Sequence, residues 1–414
     1  MQILVVNSGS SSIKFSIFVA TAQSERAKTV TPQSLLEGEL SDIGEAESTL
    51  KIHAAGAEKA STAKLGIHGA TEAIREVLDV VSASGAPTFE AVGYRVVHPG
   101  PRLREHVRIT PEVLQDLEAA SEFAPLHDPQ AVQMIRAFMD KFPKLPHYAC
   151  FDTVFHQTMP VEASTYPLPP EYAKRGVRRY GFHGLSCESI VRQLQREGDV
   201  PRRMVIAHLG SGCSVTALVD GRSVDTTMGL TPTGGVVMGT RTGDLDPGLV
   251  LYLLREGEAT SKDRVAEVEA LLNHHSGLVA LSGMDNDVKA MRKAAEGNAR
   301  ATLALKIFTR SVTKAMGGFS WLLGGLDAIV FAGGIGEHDP HTRAEVVGGL
   351  GALGVSLDAR LNLNLDKAQP EAAAGGIQRI SSKDSEVVVL VVPAREDQMI
   401  AVHVERMARQ EAQK

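Results

Sequence analysis

The feature that most constrains this chain is a pattern that it carries twice. "ILVVNSGSSSIKFSI", residues 3–17, runs from an apolar stretch through small polar residues into an alternation of Ile13, Phe15 and Ile17. "VIAHLGSGCSVTALVDG", residues 205–221, repeats it about 200 residues later, with Val215, Ala217 and Val219 in alternation. Each copy reads as strand, tight turn, strand. Two such units predict a duplicated fold with one loop per half, the turns converging on one ligand across a cleft. Gly9 and the hydroxyls of Ser8, Ser10, Ser11 and Ser12 suit a plain turn. They equally suit a loop whose N–H groups approach an anion, and the stretch alone leaves both open.

A chain of 414 residues is too long for one ordinary core, so two domains are expected. The pattern resets after "HYACFDT", which puts the boundary near residue 150. Thr110–Pro111, Asp128–Pro129, Asp246–Pro247 and Asp339–Pro340 each read as an N-cap followed by proline in the first helical turn. A long helix is expected after Asn298, whereas residues 21–63 read as irregular strands and loops. An apolar content of 43% and a charged content of 22% fit a globular core. The net charge of -6 gives no reason to expect nucleic acid or an anionic membrane as partner. Cys150, Cys187 and Cys213 form no Cys-x-x-Cys motif and read as reduced thiols. The N-terminal apolar run is too short for a signal peptide, and the greasy segment from Ala301 to Leu326 is broken by charges. A cytoplasmic protein is expected.

The commoner phosphate motifs are missing: there is no G-x-x-x-x-G-K-[ST], and "GGIGEH" lacks the third glycine of a dinucleotide fingerprint. Three Gly/Ser turns remain, at 7–12, 210–214 and 333–336, and together they favour a nucleotide phosphate site. Arg95 in "GYRVVHPG" and Arg241 in "MGTRTGDLDPG" stand in surroundings with little charge. A guanidinium there needs an anion, either a bound one or an internal acid such as Asp244 or Asp246. His127, His183 and His208 lie in similarly sparse contexts with no metal-ligand spacing. Asp152 and Glu396 end apolar runs beside turns, where they suit magnesium, capping or an ion pair.

The strings "VVNSGSSSIKFSIF", "RVVHPG", "APLHDP", "FDTVFH", "RYGFHGLS", "HLGSGCS", "MGLTPTGG", "MGTRTGDLDP", "FAGGIGEH" and "EDQMIA" resemble, in order and over nearly the whole chain, the acetokinase family of acetate and propionate kinases. The resemblance implies an α/β, duplicated two-domain sugar kinase/Hsp70/actin-like (RNase H-like) fold with a nucleotide cleft between the domains. It implies an actin-like domain over 1–150, with helix 396–414 packing back on it, and a nucleotide-binding domain over 151–395. The implied reaction is reversible, direct in-line transfer of the ATP γ-phosphoryl group to acetate, with Mg²⁺ or, as a substitute, Mn²⁺, in a homodimer. Arg95, Asp152, His183 and Arg241 match the catalytic positions, and Val97, Leu126, His127, Phe182 and Pro232 the acyl pocket. Ser10, Ser12, Lys14, His208, Gly210, Ser211, Gly212, Asp287, Lys289, Gly333, Gly334, Ile335 and Gly336 match nucleotide positions. Asn7 and Glu396 match the metal side.

Some positions depart from that pattern. Ser211 stands where asparagine is usual, Lys289 where arginine is, and Gly234 where glutamate is common; Tyr94 replaces a frequent histidine and Arg395 a frequent asparagine. Lysine cannot reproduce the planar fork of arginine. Propionate kinase, pyrophosphate-dependent acetate kinase and a weakly catalytic nucleotide-binding switch therefore stand as alternatives. Val97 is bulkier than the residue associated with propionate preference and favours acetate.

Overall fold

The computed structural model describes residues 1–9, 12–20, 32–57, 59–83, 85–121, 128–198, 200–256, 261–365 and 376–413. Ser10, Leu126 and His127 lie outside the described residues. The chain divides into two compact units, one of residues 1–154 with 395–414 and one of residues 155–394.

The first unit begins with the hairpin β1 (Gln2–Ser8) and β2 (Ile13–Val19), followed by β3 (Gln33–Ser41), β4 (Ser48–Ala54) and β5 (Ser61–Leu65). Then come α1 (Ala70–Ser82), β6 (Ala91–Val96), β7 (Val107–Arg108), α2 (Pro111–Ala120), α3 (Asp128–Lys141) and β8 (His147–Phe151). Its eight strands form one sheet in the order β5-β4-β3-β2-β1-β6-β8-β7. β1 pairs antiparallel with β2 and parallel with β6, which in turn runs parallel to β8. β3, β4 and β5 form a regular antiparallel meander where the sequence predicts irregular structure. For the edge strand the reason lies in burial: β5 has no buried residue, so it lacks the apolar alternation that marks a half-buried strand. Leu4, Val6, Phe15, Val92, Val96 and Phe151 are buried in the core on this sheet together with Ile135 and Phe138 of α3.

The second unit contains α4 (Val161–Ser164), α5 (Pro170–Lys174), α6 (Gly184–Glu197), β9 (Arg203–Leu209), β10 (Cys213–Val219) and β11 (Arg222–Thr226). It continues through α7 (Pro247–Arg255), α8 (Ser261–His274), α9 (Gly277–Ser282), α10 (Val288–Ala294), α11 (Ala299–Leu322) and β12 (Ala328–Ala332). After α12 (Gly333–His338), α13 (Pro340–Gly348) and α14 (Ala359–Leu363) it closes with β13 (Gln378–Arg379) and β14 (Val388–Val391). These six strands order as β11-β10-β9-β12-β14-β13. The hairpin β9–β10 pairs with β12 just as β1–β2 pairs with β6, antiparallel within the hairpin and parallel outside it. Asn298 caps α11 through the N–H groups of Arg300 and Ala301, and Asp246 and Asp339 cap α7 and α13. Among the described residues no helix is long and apolar enough to cross a membrane.

The last helix, α15 (Glu396–Ala412), belongs to the first unit. It packs on β1 and β6, and Gly93 makes that possible: a Cβ there would lie 2.6 Å from Val404 Cγ2 and 2.8 Å from Ile400 Cγ2. Asp128 opens the described part of α3, is 1% exposed, and its Oδ1 accepts from the His98 N–H at 3.3 Å. Burial pushes its carboxyl up to about 8; the His98 hydrogen bond opposes this and the nearby Asp152 charge adds to it.

Two predictions follow from this packing. Gly93→Val is expected to lower unfolding stability by about 1–3 kcal/mol in a denaturant titration; an unchanged midpoint would show that α15 does not need the gap. Asp128 has a folded pKa above the ordinary carboxylate value, so its contribution to stability is full in acid and is lost as pH rises through about 8. Asparagine does not titrate, so the melting temperature of Asp128→Asn relative to the parent should rise from pH 5 to pH 9. A difference independent of pH would mean that the carboxyl ionises without cost.

Candidate active site

In the first unit the geometry is organised by Arg95, at the C-terminal end of β6. Its Nε donates to both oxygens of Asp152 at 3.1 Å and its Nη2 to Oδ2 at 2.5 Å. Nη1 donates to Asn7 Oδ1 at 3.3 Å and lies 3.7 Å from Glu396 Oε2. These partners come from the ends of β1 and β8 and the start of α15, because parallel strands bring their C-terminal ends to one edge of a sheet. Burial works against the Arg95 charge, but Asp152 and then Glu396 outweigh it, and its pKa is raised. Asp152 is 1% exposed. Its three bonds to Arg95 are therefore made out of solvent.

Asn7 Nδ2 donates to Asp397 Oδ1 at 3.1 Å, and Ser16 Oγ donates to Asp397 Oδ2 at 3.5 Å. Burial raises the Asp397 pKa, opposed by the Asn7 hydrogen bond. Sequence reasoning did not single out Asp397 or Ser16; the signal for Asp397 was two adjacent acids at a helix start, where one of them suits the dipole. In the turn after β1, Gly9 N–H donates to the Ser12 carbonyl at 2.7 Å. Lys14 pairs across the hairpin with Asn7 but is exposed and faces Glu39 at 3.7 Å. Val97, just past β6, is buried.

In the second unit the corresponding turn follows β9. Gly210 N–H donates to the Gly212 carbonyl at 3.0 Å, and the Cys213 thiol donates to the Gly210 carbonyl at 3.2 Å. Burial pushes that thiol up to about 12, so it serves as a small tie and not as a nucleophile. A Cβ on Gly212 would lie 3.3 Å from His183 Nε2 and 3.5 Å from Arg241 Nη1, and one on Gly210 would lie 4.0 Å from the Gly334 nitrogen. The structure thus brings His183, Arg241, Gly210, Gly212 and the glycines after β12 together. Gly333 takes φ +75°, and a Cβ there would come within 2.7 Å of the Leu209 carbonyl, so the two turns abut because this residue has no side chain. Its N–H donates to Glu337 Oε1 at 2.9 Å. Residues 333–336 form the first turn of the short helix α12, which precedes the helix that Asp339 caps, α13.

His183 sits in the left-handed region, φ 59° and ψ 26°, as the N-cap of α6. That conformation is uncommon for a residue with a side chain and typically costs about 1–3 kcal/mol. Several bonds hold it. The buried His156 donates from Nε2 to the carbonyl of Phe182, leaving Nδ1 to accept from Ser223 Oγ at 2.9 Å. Burial lowers the His156 pKa to about 4, so the ring stays neutral. Arg179 Nη1 donates to the carbonyls of Thr226, Thr227 and Met228. His183 Nδ1 bonds Ser214 Oγ at 2.9 Å, His208 Nδ1 bonds Ser186 Oγ at 2.7 Å, and the two imidazoles stack 4.2 Å apart. His156, Ser186 and Ser214 were not evident from sequence, since each acts through a neighbour.

Arg241 Nη1 donates to the Pro232 carbonyl at 3.1 Å, while Asp244 Oδ1 accepts from Gly235 N–H and Asp246 caps α7. Phe182 and Pro232 are buried. Asn286 Nδ2 donates to Ser211 Oγ at 3.0 Å, whereas Asp287 caps α10 through Ala290 N–H and Lys289 is exposed. Ile335 is exposed in part on α12.

The chain is similar to known proteins over nearly its whole length. A model of the acetokinase family matches residues 2–402. The acetate kinases of Halothermothrix orenii and Deinococcus radiodurans are 40% and 42% identical to the chain, each over 97% of it and over 98% and 96% of their own lengths. The crystal structure of an acetate kinase from Porphyromonas gingivalis gives a TM-score of 0.80 at 32% identity, covering 98% of this chain and 99% of that one. A propionate kinase from Francisella tularensis gives 0.84 at 35% identity, covering 97% and 98%. With hairpins duplicated in two mixed sheets, as in the sugar kinase/actin-like fold, and with relatives matched end to end, the chain belongs to the acetokinase family.

Proposed function

We propose that the protein is an acetate kinase, which reversibly transfers the γ-phosphoryl group of ATP to acetate to give acetyl phosphate and ADP. The observation that carries this reading is the approach of both His183 Nε2 and Arg241 Nη1 to Gly212, within 3.3 and 3.5 Å of where a Cβ would stand. Donors gathered at a glycine turn suit the equatorial oxygens of a transferring phosphoryl group. Acetate is ionised at neutral pH, since carboxylic acids titrate near ~4, so its oxygen attacks the γ-phosphorus without a general base. The bond from phosphorus to the β,γ-bridging oxygen breaks, and its electron pair leaves with ADP.

In this reading Arg95 and Arg241 hold the acyl carboxylate and the phosphoryl group, and His183 stabilises the charge that develops between them. Phe182, Pro232, Val97, Leu126 and His127 bound the acyl methyl. The turns at 7–12 and 210–212, with residues 333–336, Asp287 and Lys289, hold the nucleotide. Asn7, Asp152 and Glu396 offer only oxygen atoms around one guanidinium, a donor set that fits a hard cation such as Mg²⁺. When bound, Mg²⁺ neutralises charge on the β- and γ-phosphates. The reading also includes a homodimer and a cytoplasmic location. Support for the homodimer is that Leu249, Leu251 and Tyr252 on α7 and Val265 on α8 are exposed.

Acyl phosphate formation, trapped with hydroxylamine, tests the reading. Acetate with ATP and Mg²⁺ should turn over faster than propionate, although one methylene discriminates by only about 1–3 kcal/mol. Arg241→Ala should lose at least about 10³-fold in kcat, by analogy with charge-stabilising groups in phosphoryl transfer. No acyl phosphate from any acid or donor, in a folded protein that binds ATP, would leave a nucleotide-binding switch as the function. Light scattering should give about twice 44.2 kDa, falling to one chain mass in Leu251→Glu; a parent protein of single-chain mass would remove the dimer.

A further inference from the structure

We propose that Asp397 is a positioning residue that sets which end of the Asn7 carboxamide faces the oxygen cluster around Arg95. The two ends of an amide are nearly the same in shape, so only their hydrogen-bond partners decide its orientation. Here both partners decide it the same way. Asp397 Oδ1 accepts from Asn7 Nδ2 at 3.1 Å, and Arg95 Nη1 donates to Asn7 Oδ1 at 3.3 Å. With the amide reversed, its oxygen would face a carboxylate and its NH2 a guanidinium, and both contacts would be lost.

Asp397 is itself held. It lies in the first turn of α15, where negative charge is favoured, and Ser16 Oγ donates to its other oxygen at 3.5 Å. Val5 pairs with Ser16 and Asn7 with Lys14, so Ser16 stands two residues from the Asn7 pairing and on the same face of the sheet. The hairpin and the helix thereby grip one carboxylate between them. Its consequence is that Asn7 presents an oxygen, and not a pair of N–H donors, beside Asp152 and Glu396. A cation requires that orientation, and this inference rests on the proposed role of those oxygens toward Mg²⁺.

The test compares Asp397→Ala, Asp397→Asn and Asn7→Ala in the full-length protein, with Mn²⁺ binding in the presence of ATP read by electron paramagnetic resonance. Asp397→Ala should weaken Mn²⁺ binding about tenfold or more, as loss of an outer partner does elsewhere, and raise the Mg²⁺ concentration for half-maximal activity to match. Asp397→Asn keeps an acceptor for Asn7 Nδ2 and should recover most of that loss. In Asn7→Ala the further change Asp397→Ala should add nothing, because the residue acts through Asn7. Should Asp397→Ala not fold, Ser16→Ala, which loosens the same carboxylate, should shift Mn²⁺ binding in the same direction by less. The proposal is overturned if Asp397→Ala lowers only the melting temperature, if the two losses multiply in the double variant, or if Ser16→Ala binds Mn²⁺ like the parent in the absence of a folded Asp397→Ala. An absence of acyl phosphate in the parent protein would count against the kinase reading instead, since the Mn²⁺ titrations need no turnover.

Discussion

A guanidinium held at the end of a central strand must be matched by negative charge from the protein, and the first unit is arranged to do this for Arg95. Removing the charge from water is expensive unless it is paired and hydrogen-bonded. Asp152 takes three of the bonds, Asn7 one, and Glu396 stands close by. Those partners lie 57, 88 and about 300 residues away in sequence. The parallel pairing of β1, β6 and β8 and the return of α15 to their edge are what make the constellation possible.

The second unit uses the same hairpin differently. Here the cost is conformational: His183 is held in a left-handed conformation by Phe182, whose carbonyl is bonded by a neutral histidine. Strain of this kind persists only where the surroundings determine it. Ser214 and the stacked His208 fix the ring as well as the backbone, so its Nε2 points toward Gly212 and Arg241. The duplicated turns thus set unlike groups around a guanidinium, carboxylates and an amide with Arg95 beside one, imidazoles with Arg241 beside the other.

Much of this architecture was legible from local signals. Both hairpins announce themselves by β-formers flanking glycine and serine, and the helices α2, α7, α11 and α13 by Thr110, Asp246, Asn298 and Asp339, all of which cap. The edge strand β5 was not, because a strand exposed on both faces loses the period of two on which such a reading relies. At Asp128 the sequence shows the helix but not the burial of its carboxyl, which the fold alone imposes. At the site, sparse surrounding charge shows that Arg95 needs an anion, but it does not identify which. Asp244 and Asp246 are nearer Arg241 in sequence, yet both are bonded to backbone N–H groups. Asp397 and Asn7 are 390 residues apart, a contact that no local pattern encodes.

The docking of α15 on Gly93 has a further consequence for how the chain is made. Residues 155–394 emerge from the ribosome between the first sheet and the helix that covers it, and at about 5–20 residues per second that interval lasts roughly tens of seconds. Throughout it the faces of β1 and β6 that receive Val404 and Ile400 are uncovered, and Asn7 lacks its carboxylate. The first half therefore cannot be finished in order of synthesis. It must wait as an apolar surface for the second half, which makes premature release or a break near residue 395 more damaging to the beginning of the protein than to its end.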